Sequence, residues 1–165
     1  MTYDMHYAYW MEKVEQSLSS CLSSFEKIPQ PLCEAMTYSL LAGGKRLRPI
    51  LLLAAAELVE DVPAHLLPMA CAVEMIHTYS LIHDDLPGMD DDDFRRGRST
   101  NHKVYGEGMA ILAGDGLLNA AYELMLRETL LHPDQTTRYV DAMHTIASAA
   151  GVTGMIAGQC MDLTC

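Results

Sequence analysis

The segment from Ala64 to Asp85 reads AHLLPMACAVEMIHTYSLIHDD and indicates which fold the chain adopts. Pro68 suits the first turn of a helix, and about five helical turns separate it from the paired aspartates. The segment is mostly apolar and does not alternate with period two, so it predicts a helix and not a strand. His77 and Ser80 precede Asp84 by seven and four residues, which places all three on one face of that helix.

The rest of the chain is also predicted to be helical. Apolar residues recur at three- and four-residue spacing, and Pro and Gly separate the elements. Further helices are expected at 7–26, from 31 to the glycines Gly43-Gly44, at 48–59, 109–131 and 133–150, and from 152 onward. The helix at 48–59 is apolar nearly all round, which predicts a position at the centre of a bundle. The stretch 87–105 is polar and non-periodic, and no βαβ spacing is present. We therefore predict a single all-α domain over 1–165 whose last helix still runs at the final residue, as in a truncated protein.

Composition limits the classes of protein that fit. The 165 residues include 11 Lys plus Arg against 22 Asp plus Glu, and the formal net charge is −11. Half of the residues are hydrophobic, which excludes disorder, and the acidity argues against nonspecific nucleic-acid binding. The longest apolar run, 50–56, is far shorter than the ~20 residues of a membrane span. The first residues lack signal-peptide features and the five cysteines lack C-x-x-C spacing, so we expect a cytoplasmic protein with reduced thiols.

The strongest chemical signal is an aspartate-rich stretch followed by arginines. Six aspartates lie between Asp84 and Asp93, and Arg95, Arg96 and Arg98 follow them. Carboxylate oxygens suit Mg²⁺, which is often held by one or two carboxylates together with substrate phosphates. The spacing does not match a calcium-binding EF-hand loop. The arginines fit a polyanion that bridges them to the metal, and the alternative is an acidic loop neutralised by its own arginines.

A second signal is the sequence GGKRLRP at 43–49. Glycines followed by Lys and Arg at a helix start offer cationic groups and backbone N–H donors to a phosphate. The segment is not a P-loop, because it lacks the required pattern and no strand precedes it. Taken alone it also fits an ordinary surface cluster. His77, likewise, is either a core histidine or a ligand next to the aspartates.

Together these motifs resemble the short-chain trans-prenyltransferases, the polyprenyl synthetase family of the farnesyl diphosphate synthase type. The resemblance rests on GGKRLRP at 43–49, EMIHTYSLIHDD at 74–85, Asp90, RRG at 95–97, NHKVYGE at 101–107 and AILAGDG at 110–116. It implies the N-terminal half of an all-helical isoprenoid synthase bundle around a deep cavity. It also implies a homodimer for the full-length protein.

The resemblance assigns roles residue by residue. It implies that isopentenyl diphosphate is held by Lys45, Arg48, His77 and Arg96. It implies that Arg95 contacts the allylic diphosphate, dimethylallyl or geranyl, and that Asp84 and Asp90, with Asp85 beside them, bind Mg²⁺. Gln159 and Asp162 match a later G-Q-x-x-D element. An aromatic residue at Tyr79, with the inserted Pro87-Gly88, resembles the fifteen-carbon type of synthase. Ser80 is small and leaves the path below Asp84 open, and by geometry alone Tyr79 could equally be core.

The implied reaction is a head-to-tail condensation that gives farnesyl diphosphate. Mg²⁺ and Arg95 would neutralise the leaving diphosphate, and the isopentenyl double bond would attack the allylic cation before a proton is lost. The second aspartate-rich motif of the family and the lysine after G-Q-x-x-D are not in this sequence. Two alternatives therefore stay open, a geranylgeranyl or longer-chain synthase and a non-catalytic diphosphate-binding chain. A class I terpene cyclase fits less well, because 43–49 would then have no role.

Overall fold

Helix α4 (Leu67–Asp84) lies at the centre of the structure, a computed structural model that describes residues 3–59 and 64–164. The other helices are α1 (Tyr3–Ser23), α2 (Gln30–Leu40), α3 (Leu47–Ala56), α5 (Asn101–Tyr105), α6 (Glu107–Leu131), α7 (Thr136–Ala150) and α8 (Met155–Asp162). Short 3₁₀ turns at Ala64–Leu66 and Pro133–Gln135 lead into α4 and α7. The all-α prediction is confirmed. The final helix was expected to run to the last residue, but α8 ends at Asp162 with Leu163 as its C-cap.

The core forms where α4 packs along α6, with α1, α2 and α3 around the pair. The buried residues of α6 recur every three or four positions, for example Ala110, Ala113, Leu117 and Ala121, and many of them are small. Small side chains allow two helix backbones to approach closely. By length and mean hydropathy (1.2) α6 is the one helix of the described ranges that could cross a membrane, yet 44% of that window is buried in the bundle. The side of α6 that packs against α4 therefore accounts for part of this apolar character.

The prediction that the third helix is central was wrong. Only Pro49, Ile50 and Leu53 of α3 are buried, whereas the side chains of Leu47 and Leu51 are 46% and 66% exposed. A helix that is apolar all round carries no stripe that indicates which side packs inward. In α3 the side that faces α1 and α4 is the buried one, and α3 lies at the edge of the bundle.

A small hairpin lies within the polar, non-periodic stretch 87–105. Strands β1 (Phe94–Arg95) and β2 (Arg98–Ser99) pair antiparallel, with Phe94 opposite Ser99 and Arg95 opposite Arg98. The two-residue turn places Arg96 at φ 54° and Gly97 at φ 75°, the left-handed geometry that suits tight hairpins. Strands of two residues are too short to show an alternating pattern in a sequence.

Four of the five cysteines lie among the described residues. Cys21, Cys33, Cys71 and Cys160 carry no disulfide, and Cys165 lies outside the described residues.

Close contact between α4 and α6 predicts different outcomes for two glycines of α6. A Cβ at Gly114 would lie 2.2 Å from Nε2 of His83, whereas a Cβ at Gly108 would meet nothing within 4 Å. We expect Gly114→Ala to lower the free energy of unfolding by about 1–3 kcal/mol, because the His83 ring would be displaced from its contact with the Ile111 carbonyl. Gly108→Ala is the matched control and should raise that free energy by up to about 0.5 kcal/mol. Urea denaturation measures both, and equal midpoints for the two variants would contradict the packing described here.

Candidate functional site

A cavity of about 400 Å³ lies between α4 and the loop that precedes α3. It is lined by residues 44–48, which span the end of this loop and the start of α3, together with Glu74, His77 and Arg96. The structure therefore brings together the four residues Lys45, Arg48, His77 and Arg96, which are far apart in sequence. Helix α4 contributes His77, the loop and the first turn of α3 contribute Lys45 and Arg48, and the hairpin turn contributes Arg96.

The loop depends on two glycines. Helix α2 was expected to run to Gly43-Gly44, but it ends at Leu40 with Leu41 as its C-cap. The two glycines continue the loop with φ values of 78° and 138°, which residues with a Cβ rarely adopt. Nη1 of Arg96 donates to the Gly43 carbonyl, and a Cβ at Gly44 would lie 2.4 Å from that nitrogen. Gly44 thus allows the hairpin guanidinium to close over the loop.

The cavity is cationic although the chain is acidic. Within residues 3–59 and 64–164, no carboxylate lies within ion-pairing distance of Lys45, Arg48 or Arg96. Burial, and then the positive charge of Arg48, lowers the pKa of His77 despite the opposing effect of Glu74. The lowered pKa favours the neutral form of His77, which offers a hydrogen bond without charge. Three such cations around one cavity can attract a polyanion.

The aspartate-rich stretch folds back on the C-terminus of α4. The amide of Asp90 donates to the Asp84 carbonyl over 2.9 Å. Nε and Nη2 of Arg95 contact Oδ1 of Asp85 at 2.7 and 2.6 Å, and Nη2 lies 3.9 Å from Asp84 and 3.7 Å from Asp92. Burial raises the pKa of Asp85, although the Arg95 guanidinium acts against this. Arg95 thus pairs with Asp85 and lies near Asp84 and Asp92, which balances part of the negative charge of this stretch.

The carboxylates present are compatible with Mg²⁺ held jointly with a ligand, and they form no complete protein cage. Among the described residues no three Asp, Glu, His or Cys side chains converge on one metal position. Mg²⁺ is commonly held by one or two carboxylates plus substrate phosphates and water, which Asp84 and Asp90 can supply. Asp85 is 3% exposed and its Oδ1 accepts a hydrogen bond from Arg95, so this oxygen is already occupied by a protein partner.

Helix α8 contacts the carboxylate of Asp84. Nε2 of Gln159 donates to Oδ1 of Asp84, whereas Asp162, the other residue of the G-Q-x-x-D element, is exposed to solvent. The structure therefore joins only the glutamine of that element to the aspartate cluster.

Two smaller cavities lie along α4 between the cationic cavity and Asp84. One of about 250 Å³ includes Arg48 and His77, one of about 120 Å³ includes Asp84, and Ser80 and Met155 line both. Ser80, His77 and Asp84 therefore share the face that their spacing predicted.

Tyr79 lines the smaller of these cavities but is itself almost buried. Its side chain is 8% exposed and packs edge-on against His83 at a centroid distance of 5.4 Å. Burial raises the pKa of its phenol. Tyr79 is thus both a packed core residue and part of the wall of the cavity that includes Asp84.

Some residues hold the elements of the site together but carry no recognisable signal in the sequence. Asn101 donates to the Ala35 carbonyl and to Ser39, both at 2.8 Å, and the Tyr38 hydroxyl donates to the Ser99 carbonyl at 2.8 Å. These bonds attach the hairpin and α5 to α2. NHKVYGE was noted only as part of a resemblance, and the sequence contains no local signal for partners more than 60 residues away.

Comparison with known proteins gives a consistent result. The family model described as "Polyprenyl synthetase" matches residues 29–165. The chain is 53% identical over 154 residues to a farnesyl diphosphate synthase of Geobacillus stearothermophilus, covering 92% of this chain and 50% of that protein. It is 52% identical over 153 residues to the heterodimeric geranylgeranyl pyrophosphate synthase large subunit 1 of Arabidopsis thaliana, covering 93% and 41%.

Solved structures agree with these sequence relatives. A geranyltransferase from Legionella pneumophila superposes with a TM-score of 0.90 at 37% identity, covering 96% of this chain and 55% of that one. An FPP/GFPP synthase from Zymomonas mobilis gives a TM-score of 0.85 at 38% identity, covering 97% and 58%. The chain spans about half the length of the curated relatives it matches.

Proposed function

Because the chain belongs to the polyprenyl synthetase family, we propose that it carries the two diphosphate-binding sites of a trans-prenyl diphosphate synthase. The whole protein would join isopentenyl diphosphate head-to-tail to an allylic diphosphate, and residues 1–165 would form the N-terminal part of its single domain. The observation that carries this proposal is the cationic cavity, in which Lys45, Arg48 and Arg96 lack carboxylate partners among the described residues.

The cationic cavity is the proposed isopentenyl diphosphate site. Lys45 and Arg48 would bind the phosphate oxygens, with Arg96 from the hairpin turn opposite them. Neutral His77 would donate one hydrogen bond without adding charge. The isopentenyl chain would then lie along α4 past Ser80, where the two smaller cavities continue toward Asp84.

The aspartate cluster is the proposed allylic diphosphate site. Asp84 and Asp90 would hold Mg²⁺ there, and the ion when bound would supply positive charge to the leaving diphosphate. Arg95 is already placed between Asp84 and Asp85, and an arriving diphosphate would share its guanidinium with Asp85. Asp85 would keep Arg95 oriented, because its buried carboxylate holds two of the guanidinium nitrogens.

Calorimetric titration of the chain with isopentenyl diphosphate in EDTA tests the proposal. Because the cationic cavity contains no metal-binding carboxylate pair, we expect saturable one-to-one binding that does not require Mg²⁺ and weakens as salt increases. A titration without binding heat at low ionic strength would contradict the isopentenyl diphosphate site.

For the product we propose farnesyl diphosphate, with geranylgeranyl diphosphate as the second candidate because relatives of both kinds match this chain. The position of Tyr79 in the wall of the cavity below Asp84 favours the shorter product, since a bulky ring there limits chain growth.

Removing the Tyr79 ring from a full-length version should therefore lengthen the product. We expect Tyr79→Ala to shift the main product from fifteen to twenty or more carbons, measured by chromatography of the dephosphorylated products. Tyr105→Ala is the matched control, because Tyr105 of α5 packs edge-on against Tyr38 of α2 and lines neither of the two smaller cavities. If Tyr79→Ala still gave a fifteen-carbon product, Tyr79 would be a core residue that does not limit product length.

A further inference from the structure

Arg46 lies between two proposed ligands in sequence but is buried in the structure. Its side chain is 0% exposed, whereas Arg48, two residues on, is exposed to solvent. Nε contacts Glu15 at 2.7 Å, Nη1 contacts Glu74 at 2.8 Å, and Nη2 donates to the Leu40 carbonyl at 2.8 Å. One guanidinium thus ties α1, α4 and the end of α2 to the loop.

The backbone of Arg46 changes direction at this point. Its φ of 47° and ψ of 34° are left-handed, which is uncommon for a residue with a Cβ, and it occupies the N-cap position of α3. Such a conformation persists only where surrounding contacts enforce it. The three guanidinium contacts do so, and the Tyr7 hydroxyl adds a hydrogen bond to the neighbouring Lys45 carbonyl at 2.5 Å.

The charge of Arg46 is satisfied inside the protein. Burial disfavours the charged guanidinium, but the hydrogen bonds and charges of Glu15 and Glu74 outweigh this and raise the pKa of Arg46. Two carboxylates face this one cation, so Arg46 adds no positive field to the cavity. It is therefore unlike Lys45 and Arg48 and is not a diphosphate ligand.

We propose that Arg46 is a positioning residue for the isopentenyl diphosphate site. Its ion pairs with Glu15 and Glu74 fix the left-handed turn, which directs Lys45 and Arg48 from its two sides into the cavity. Glu74 also lies one helical turn before His77, so the same network links the loop to the α4 side of the site. The proposal rests on the proposed function of this cavity.

Glu15→Gln is the main test variant, because Glu15 is only partly buried and the substitution keeps its size. Arg46→Lys keeps the charge but lacks the planar fork that reaches three acceptors. Glu12→Gln is the matched control, since Glu12 lies on the same helix and, among residues 3–59 and 64–164, its side chain bonds only to exposed Gln16. Each variant is studied in the complete 165-residue chain.

The first readout is amide hydrogen exchange across 44–50 without ligand, where the Ile50 amide donates to the Arg46 carbonyl. We expect about tenfold faster exchange in Glu15→Gln and Arg46→Lys, with α6 unchanged. The second readout is binding. The Kd for isopentenyl diphosphate should rise about tenfold, while that for geranyl diphosphate with Mg²⁺ stays constant.

The outcomes separate this proposal from the proposed function. Unchanged exchange in the loop overturns the positioning role, and so does a parallel loss of both ligands together with a lower melting temperature. If the unmodified chain binds no isopentenyl diphosphate, the proposed function fails, and the exchange data still decide whether Arg46 orders the loop.

Discussion

Replacing Asp84 by Asn is expected to remove the Mg²⁺-dependent part of allylic diphosphate binding. Asp84 ends α4 and accepts a hydrogen bond from Gln159, and with Asp90 it offers the carboxylates that Mg²⁺ prefers. An amide keeps the size but removes the anionic oxygens. Because losing even an outer partner of a metal ligand costs about 10–100-fold in affinity, we expect the Kd in Mg²⁺ to rise by at least about 100-fold.

Calorimetry with geranyl diphosphate, with and without Mg²⁺, measures this change. The control is Asp134→Asn, which alters an exposed carboxylate in the 3₁₀ turn before α7. Far-UV circular dichroism should show the same helical content for both variants. The assignment is wrong if the unmodified chain binds geranyl diphosphate equally well in Mg²⁺ and in EDTA.

The second large effect is expected at the cationic cavity. Lys45→Ala and Arg48→Ala each remove a charge-assisted contact, worth about 1.5–3 kcal/mol, or roughly 10- to 150-fold in the Kd for isopentenyl diphosphate. Arg95→Ala should instead weaken geranyl diphosphate binding, because Arg95 lies among the aspartates.

Arg127 provides the control for the loss of one positive charge from the protein. Arg127 lies on α6, and its guanidinium stacks on Phe25 at 5.1 Å from the ring centroid. Arg127→Ala changes the net charge by the same amount as Arg48→Ala, so it should leave both affinities nearly constant. Equal losses for both ligands in Lys45→Ala and in Arg95→Ala would mean that the two sites are one.

The long helices could be predicted from the sequence because each carries its own periodic signal. Helix α4 and helix α6 begin and end within a few residues of the expected positions, and the face shared by His77, Ser80 and Asp84 follows from helix geometry. For α3 the uniformly apolar sequence contains no information about which side packs inward, and its position at the edge depends on α1 and α4.

The roles of individual cations could not be predicted in the same way. Lys45, Arg46 and Arg48 look alike in sequence. Arg46 is buried because it pairs with Glu15 and Glu74, which are 31 and 28 residues away, whereas Lys45 and Arg48 are exposed. The pairing of Arg95 with Asp85 likewise depends on a hairpin of two-residue strands, which no periodic pattern indicates.

The proposed function requires that this chain holds two separate diphosphate sites, one at each end of the same α4 face. Amide chemical-shift mapping of the ¹⁵N-labelled chain measures this, first with isopentenyl diphosphate in EDTA and then with geranyl diphosphate and Mg²⁺. The first ligand should shift the amides of Gly44, Lys45 and Arg48, and the second those of Asp84 and Asp90. A single set of amides shifted by both ligands, or shifts confined to other parts of the chain, would contradict the claim.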